Sequence, residues 1–318
     1  LDYLSYMGSS FLASLFVRRV DVVVGTSPQF FTVCAAYMTG LLKRVPWVFE
    51  LRDIWPESIR VVGAMKQSKV LDLLEKVELY LYRKASSIVS VTHAFRTSLM
   101  RRGVNGDKIH VVTNGVDISR FSPRDKDTEL LLNYDLQGKF VAGYIGTHGM
   151  AHKLDFFLDF IKETEGDNIH FLFMGEGAEK QKLHKIAAEK QINNVLFLDN
   201  VSKDRVIDYL SIVDVALVHL KRSDTFKTVI PSKIFESAAM KKPILLGVEG
   251  ESKEIIENFN AGLCFVPENK ESFLNCLYVI KDDTSLYQEF QKGCEELVKE
   301  YDRKKLAAKM LAHLKELN

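Results

Sequence analysis

Between Lys221 and Leu246 the chain reads K-R-S-D-T-F-K-T-V-I-P-S-K-I-F-E-S-A-A-M-K-K-P-I-L-L. Pro231 with Ser232 beside it is helix-start chemistry, because proline sets the first-turn dihedral and a hydroxyl can cap a free amide. A helix start leaves backbone N–H groups unpaired and presents the positive end of the dipole, which suits a phosphate. Lys233 and Glu236 follow within about one turn, so an ammonium, a hydroxyl and a carboxylate gather at that end. A nucleotide diphosphate sugar needs that set: cations for its pyrophosphate and a carboxylate to accept from the ribose hydroxyls. The same residues also read as an amphipathic helix with a solvated Lys and Glu, and this stretch alone leaves both readings open.

Composition narrows the setting. A chain of 318 residues suggests two domains, and 47% hydrophobic with 27% charged residues is the balance of an ordinary soluble globular protein. A net charge of +1 argues against a nucleic-acid partner. Cys34, Cys264, Cys276 and Cys294 are scattered without a C-x-x-C pair, which speaks against a zinc site or a disulfide scaffold and fits a reducing, cytoplasmic setting.

The elements that must position this chemistry alternate along the chain. Residues 3–17 carry no charge and stand before Arg18-Arg19. As a helix they would rise about 22 Å, short of a bilayer core of about 30 Å, so they do not span one. A buried helix is the expectation, with an interfacial helix as the alternative. Residues 21–28 read as a strand and turn, 29–43 as a helix, and 47–53 as a second strand with its loop at 54–58. Ligands bind at the C-terminal edge of open α/β sheets, which makes Arg52, Asp53 and Glu57 site candidates, against a local Arg–Asp ion pair as the plainer reading. A helix at 69–84, a strand at 87–91, a helix near 94–102 and a strand at 109–113 follow, closed by the Asn114-Gly115 turn.

Residues 122–138 are charged, carry Pro123 and read as a linker. Six further strands, at 140–145, 170–174, 195–198, 213–220, 244–248 and 263–266, alternate with helical stretches. Such alternation argues for parallel sheets covered on both faces, hence an α/β protein of two Rossmann-like domains. The expected division is 1–121, then the linker, then 139–285, then C-terminal helices at 286–318 packing back towards the first domain, with the site in the cleft between domains. Two glycine turns follow strands in the second domain. Gly146-Thr147-His148-Gly149 precedes a helix expected from about Lys153 and can bring backbone amides to a phosphate. Gly175-Glu176-Gly177 lacks the third glycine of a dinucleotide fingerprint, its place being taken by Lys180, so a nicotinamide or flavin site is disfavoured. Glu176 would repel a pyrophosphate and is better placed near a base or sugar.

Six short motifs in order, T-S-P-Q-F-F from Thr26, L-R-D-I-W-P-E-S from Leu51, V-T-N-G-V-D from Val112, Y-I-G-T-H-G-M-A-H from Tyr144, M-G-E-G from Met174 and I-P-S-K-I-F-E from Ile230, carry a resemblance that periodicity alone does not supply. The chain resembles glycosyltransferase family four, of GT-B architecture with two facing Rossmann-like domains, and within it the bacterial enzymes of O-antigen and capsular polysaccharide assembly. The resemblance implies retaining transfer from a nucleotide sugar, commonly a UDP sugar, to a glycan or polyprenyl-diphosphate-linked acceptor, with no required cofactor or metal. It implies that Glu236 holds the ribose hydroxyls and that Lys233, with the approach Thr228, Val229, Ile230, Pro231 and Ser232, lies by the diphosphate and sugar. It implies that the loop from Gly146 to Gly149 lies beneath the phosphates, with Gly175, Glu176 and Gly177 also on the donor side. Arg52 and Asp53 stand where relatives carry His-Asp, which makes them catalytic candidates together with Lys233, and they share the acceptor side with Glu57.

Three departures from the family pattern bear on these roles. Thr228 replaces the first glutamate of the paired-glutamate motif, Arg52 replaces the histidine, and Thr147 and His152 stand where Arg and Lys often follow the glycine loop. Lys153 or Lys221 would then be the substitute cation. No carboxylate pair at glycosidase-like spacing supports a double displacement. Two rivals share the architecture: a UDP-sugar epimerase and a non-catalytic nucleotide-sugar-binding subunit. The chain begins at Leu1 without the family's opening glycine-rich turn, so the expectation is that the start of the first domain is missing and that acceptor transfer is poor. The apolar 3–17 segment, Arg18-Arg19 and lipid-linked acceptors together suggest peripheral contact with the inner face of the cytoplasmic membrane.

Overall fold

The computed structural model describes residues 2–54 and 69–317. It divides into two units, one formed by Leu1–Asn114 with Lys304–Asn318 and the other by Gly115–Arg303.

In the first unit β1 (Val23–Thr26), β2 (Trp47–Leu51), β3 (Ser87–Ser90) and β4 (Ile109–Val111) form a parallel sheet in the order β1-β2-β3-β4. Trp47, Val48, Phe49, Leu51, Ile88 and Val89 are buried on both faces, as unbroken apolar runs in parallel strands require. The buried helix expected near the start of the chain is corrected. Helix Asp2–Phe16 has no buried residue, and Tyr3, Leu12 and Phe16 are 62, 59 and 84% exposed. It lies along helix Phe30–Lys43 and is tied to it by the Ser14 and Thr39 hydroxyls, 2.9 Å apart. Among the described residues no helix is long and apolar enough to cross a membrane.

The second unit has six parallel strands: β5 (Phe140–Ile145), β6 (Ile169–Met174), β7 (Val195–Leu198), β8 (Val215–His219), β9 (Ile244–Gly247) and β10 (Gly262–Cys264), in the order β10-β9-β8-β5-β6-β7. The chain builds outwards from β5 to β7, then returns to β8 on the other side of β5. That reversal between β5 and β8 is a topological switch point, where open α/β sheets bind ligands beyond their carboxyl ends.

Two expected elements differ. The helix expected from Lys153 is instead a pair of 3-10 segments, Leu154–Asp159 and Ile161–Asp167. Leu154, Phe157 and Phe160 are all buried at a spacing of three, and a three-residue turn aligns such side chains on one edge. Residues 122–138 do not run free of the second unit. Helix Thr128–Asn133 is capped by Asp127, which accepts from Leu130 N–H, and Leu130 and Leu136 are buried against Val141, Leu172, Tyr209 and Val213. Helix Thr284–Glu300 likewise belongs to the second unit, burying Phe290, Cys294 and Leu297. The last helix, Arg303–Lys315, instead lays Leu306, Met310 and Leu314 against Val48, Val89 and Val112 of the first.

Candidate functional site

β5 delivers the chain into the Gly146–Gly149 loop, and β6 delivers it into the Gly175–Gly177 turn beneath. The two interlock by backbone alone: His148 N–H donates to Glu176 C=O at 2.8 Å, and Glu179 N–H donates to His148 C=O at 2.9 Å. A Cβ on Gly175 would lie 1.8 Å from the Gly146 carbonyl oxygen. The second glycine turn therefore supports the first by close approach. Glu176 does not stand alone there, because Lys180, the residue in place of a third glycine, pairs with it at 2.6 Å and with Asp199.

Lys233 opens helix Lys233–Ala239 and reaches this loop. Its Nζ lies 3.6 Å from the centroid of the Tyr144 ring and 3.0 Å from where a Cβ on Gly146 would be. The residue is half-buried, yet Nζ itself is enclosed and has no hydrogen-bond partner. Burial lowers its pKa to about 7, opposed by the charge of Glu236. A desolvated ammonium over an aromatic face gains from the ring quadrupole, but its three donors stay unmet.

Glu236 sits one turn along the same helix. Its pKa is raised, first by burial, while the charges of Arg303, Lys233, Lys203 and Arg120 pull it back. Lys233 and Glu236, with Gly143, Ser237 and the apolar side chains of Ile145 and Leu217, line a cavity of about 10 Å³, room for about one water. Around them lie three histidines held neutral. His148 is fully buried with both ring nitrogens unpartnered, and burial and the charges of Lys180 and Lys233 lower it to about 4. His152 is lowered to about 3 by burial and Lys233, and His219 to about 4 by burial. The His219 ring nitrogen Nδ1 is 2.8 Å from the His152 carbonyl, which fastens the loop after β5 to the end of β8.

The remaining donor-side candidates take other places. Ser232 adopts helical dihedrals and makes no capping bond, so the expected hydroxyl cap is absent: Pro231 and Ser232 already belong to the first turn, their carbonyls accepting from Ile234 and Phe235 N–H. Thr228 bonds back to the Thr225 carbonyl at 2.6 Å, the Val229 carbonyl accepts from the Ser252 hydroxyl, and Ile230 is core. Lys153 pairs with Asp155 at 3.2 Å. Lys221 is exposed and donates its backbone N–H to Ala151. Thr147 contributes its carbonyl to the Tyr144 hydroxyl at 2.7 Å.

In the first unit Arg52 and Asp53 follow β2, both holding Ser27 Oγ through their backbone N–H groups at 3.0 and 3.4 Å. The Arg52 guanidinium is exposed and reaches Asn114 Oδ1 at 3.4 Å. A cavity of about 800 Å³ opens beside it, walled by Asp2, Tyr3, Tyr6, Thr26, Gln29 and Thr32 among others. Glu57 lies outside the described residues. Sequence reasoning missed Tyr144 as the surface under Lys233 and missed Lys180 as the partner of Glu176. An aromatic one position before the last of β5, and a Lys four residues after Glu176, were the available signals.

Residues 136–309 match the family model described as glycosyl transferases group 1, and residues 3–120 match that of glycosyltransferase family 4. Among curated proteins, the probable glycosyltransferase WbjE of Pseudomonas aeruginosa is 27% identical over 77% of this chain and 62% of its own length. The putative colanic acid biosynthesis glycosyl transferase WcaI of Escherichia coli is 24% identical over 85% of this chain and 69% of its own. The putative teichuronic acid biosynthesis glycosyltransferase TuaH of Bacillus subtilis is 25% identical over 62% and 49%. The chain thus spans between about half and about two thirds of the length of these relatives. Of solved structures, Anabaena Alr3699/HepE in complex with UDP matches with a TM-score of 0.81 at 15% identity, covering 98% of this chain and 82% of that one. Sucrose-phosphate synthase of Thermosynechococcus elongatus matches with 0.76 at 14%, covering 99% and 78%. The parallel α/β units are those of the GT-B fold.

Proposed function

The chain belongs to the glycosyl transferases group 1 family, and from that membership we propose that it is a retaining glycosyltransferase, moving a sugar from a UDP-linked donor to a glycan or lipid-linked acceptor in surface polysaccharide assembly. The observation that carries this reading is the enclosed, unpartnered Lys233 Nζ beside the Gly146–Gly149 loop, with Glu236 one turn on. Buried polar groups without partners are rare in folded proteins, so such an ammonium calls for an anionic acceptor. The UDP and UDP-glucose complexes of HepE, and relatives named for colanic and teichuronic acid synthesis, favour this donor and acceptor class.

In this scheme Lys233 swings from the Tyr144 face to the diphosphate, where negative charge grows as the glycosidic bond breaks. A fixed cation that meets charge only in the transition state lowers the barrier, and losing one such donor typically costs about 2.7–4 kcal/mol. Glu236 accepts from the ribose hydroxyls. Arg52 and Asp53 serve the acceptor, for which the cavity beside Arg52 offers space. The diphosphate is neutralised by side chains and backbone amides, so no metal takes part and transfer should persist in EDTA. The test is to supply a panel of nucleotide sugars with membrane-extracted acceptor and read the product by NMR. Acceptor-dependent release of UDP with the donor's anomeric configuration preserved supports the proposal. An epimerised donor without acceptor, or donor binding without turnover, would replace it with one of the two rivals.

A further inference from the structure

Five basic side chains converge in the first unit on a cavity of about 300 Å³ between β4 and the last helix: His93 and Arg96 from helix His93–Arg101, His110 from β4, and Lys309 and His313 from helix Arg303–Lys315. No carboxylate lines it. The His110 and His313 rings lie face to face, their centroids 3.7 Å apart and their planes tilted by 32°. His313 Nε2 is 2.7 Å from Ser87 Oγ, and Lys309 Nζ donates to the Val111 carbonyl at 2.9 Å. Arg96 Nε is enclosed and has no partner. Burial lowers the pKa of His110, as do the charges of His313, Arg96 and Lys309. Glu316, whose carboxylate is 3.7 Å from His313 Nδ1, acts the other way.

Basic groups gathered around one cavity repel each other when charged, and the enclosed Arg96 Nε leaves a donor unmet; an oxyanion between them removes both costs. The volume is at the low end for small-ligand cavities, enough for a phosphate or a phosphomonoester. We propose that this cavity binds a phosphate-type oxyanion, which fastens the last helix to β4. Arg96 and Lys309 supply cationic groups, and His110 gains a proton as the anion enters.

Sulfate is the probe, because it stays a dianion from pH 5.5 to 8 and any pH response then belongs to the protein. Sodium sulfate is titrated into the intact chain against sodium chloride at equal ionic strength, following the ¹⁵N-labelled imidazoles of His110 and His313. Sulfate held near Lys233 would not move these two rings as a pair. The expected result is a saturable shift absent with chloride, binding that tightens by roughly tenfold per pH unit on acidification where one proton is taken up, and slower hydrogen exchange in residues 304–315. Arg96→Gln and Lys309→Gln, made separately, should each weaken sulfate at least about tenfold, the loss expected for one charge-assisted bond. No saturable shift, or unchanged affinity in both variants, overturns the proposal. If phosphatidic acid–phosphatidylcholine vesicles moved the two rings and free sulfate did not, the soluble-anion site would be overturned in favour of a lipid headgroup.

Discussion

At the scale of single residues, burial acts in opposite directions on two neighbours, raising the pKa of Glu236 and lowering that of Lys233. Glu236 is a half-buried carboxyl whose pKa is raised by burial, with no hydrogen bond from the described residues to its carboxylate. Glu236→Gln should therefore leave the fold intact while weakening nucleotide affinity by about ten- to a hundredfold, the loss of roughly 1.5–3 kcal/mol expected for a charge-assisted bond. Equal affinity for every nucleotide tested would remove it from the site. Lys233 has its folded pKa lowered from 10.5 to about 7. The unfolded chain binds this proton more tightly, so the buried lysine costs stability most below about pH 7, and the cost fades as pH rises from about 7 to 10.5. A diphosphate reverses the shift by stabilising the ammonium. Binding of UDP at pH 8.5 should then take up close to one proton, seen as a dependence of binding heat on buffer ionisation enthalpy, and Lys233→Met should abolish it. The grouping of a lysine and a carboxylate at a helix start was legible in P-S-K-I-F-E because residue type and helical spacing carry it. The Tyr144 ring beneath Lys233 was not, since only the sheet and the loop bring the two together.

At the scale of elements, the Gly175 turn is a support whose requirement is steric. Gly175→Ala would place a methyl 1.8 Å from the Gly146 carbonyl oxygen at a backbone φ of +150°, so the Gly146–Gly149 loop must shift. A loss of about 1–3 kcal/mol of stability is expected, with weaker nucleotide binding, in thermal melts and titrations run together. Normal values in both would separate the two turns. Helix Asp2–Phe16 illustrates what an isolated apolar run leaves open: the uncharged residues 3–17 read as core, yet the helix they mostly form has no buried residue and lies on the flank of helix Phe30–Lys43. Its exposed Tyr3, Tyr6, Leu12 and Phe16 support the proposed peripheral membrane contact. Flotation with anionic liposomes should carry the chain upwards, and Leu12→Asp with Phe16→Asp should release it without lowering the melting temperature. A chain that never floats would end that proposal. Burial depends on what a segment packs against, which composition does not encode. The same holds for the stretch after Lys153, where the three-residue spacing of Leu154, Phe157 and Phe160 suits a 3-10 segment only once the sheet is there to bury them.

At the scale of the whole molecule the parallel α/β architecture was readable because strands buried on both faces appear as short apolar runs, such as Val215–His219 and Ile244–Gly247. The limits of the units were less so. Leu130 and Leu136 dock a charged stretch onto the second unit, and Leu306, Met310 and Leu314 return the last helix to the first, both through contacts distant in sequence. The central claim rests on the second unit alone: a diphosphate is held by the lysine at the head of helix Lys233–Ala239. Calorimetric titration of UDP and of uridine into the intact chain and into Lys233→Ala tests it most directly. UDP should bind at one site and lose about ten- to a hundredfold of its affinity in the variant, while uridine loses little. An equal loss for both ligands, or no loss for UDP, would contradict the claim.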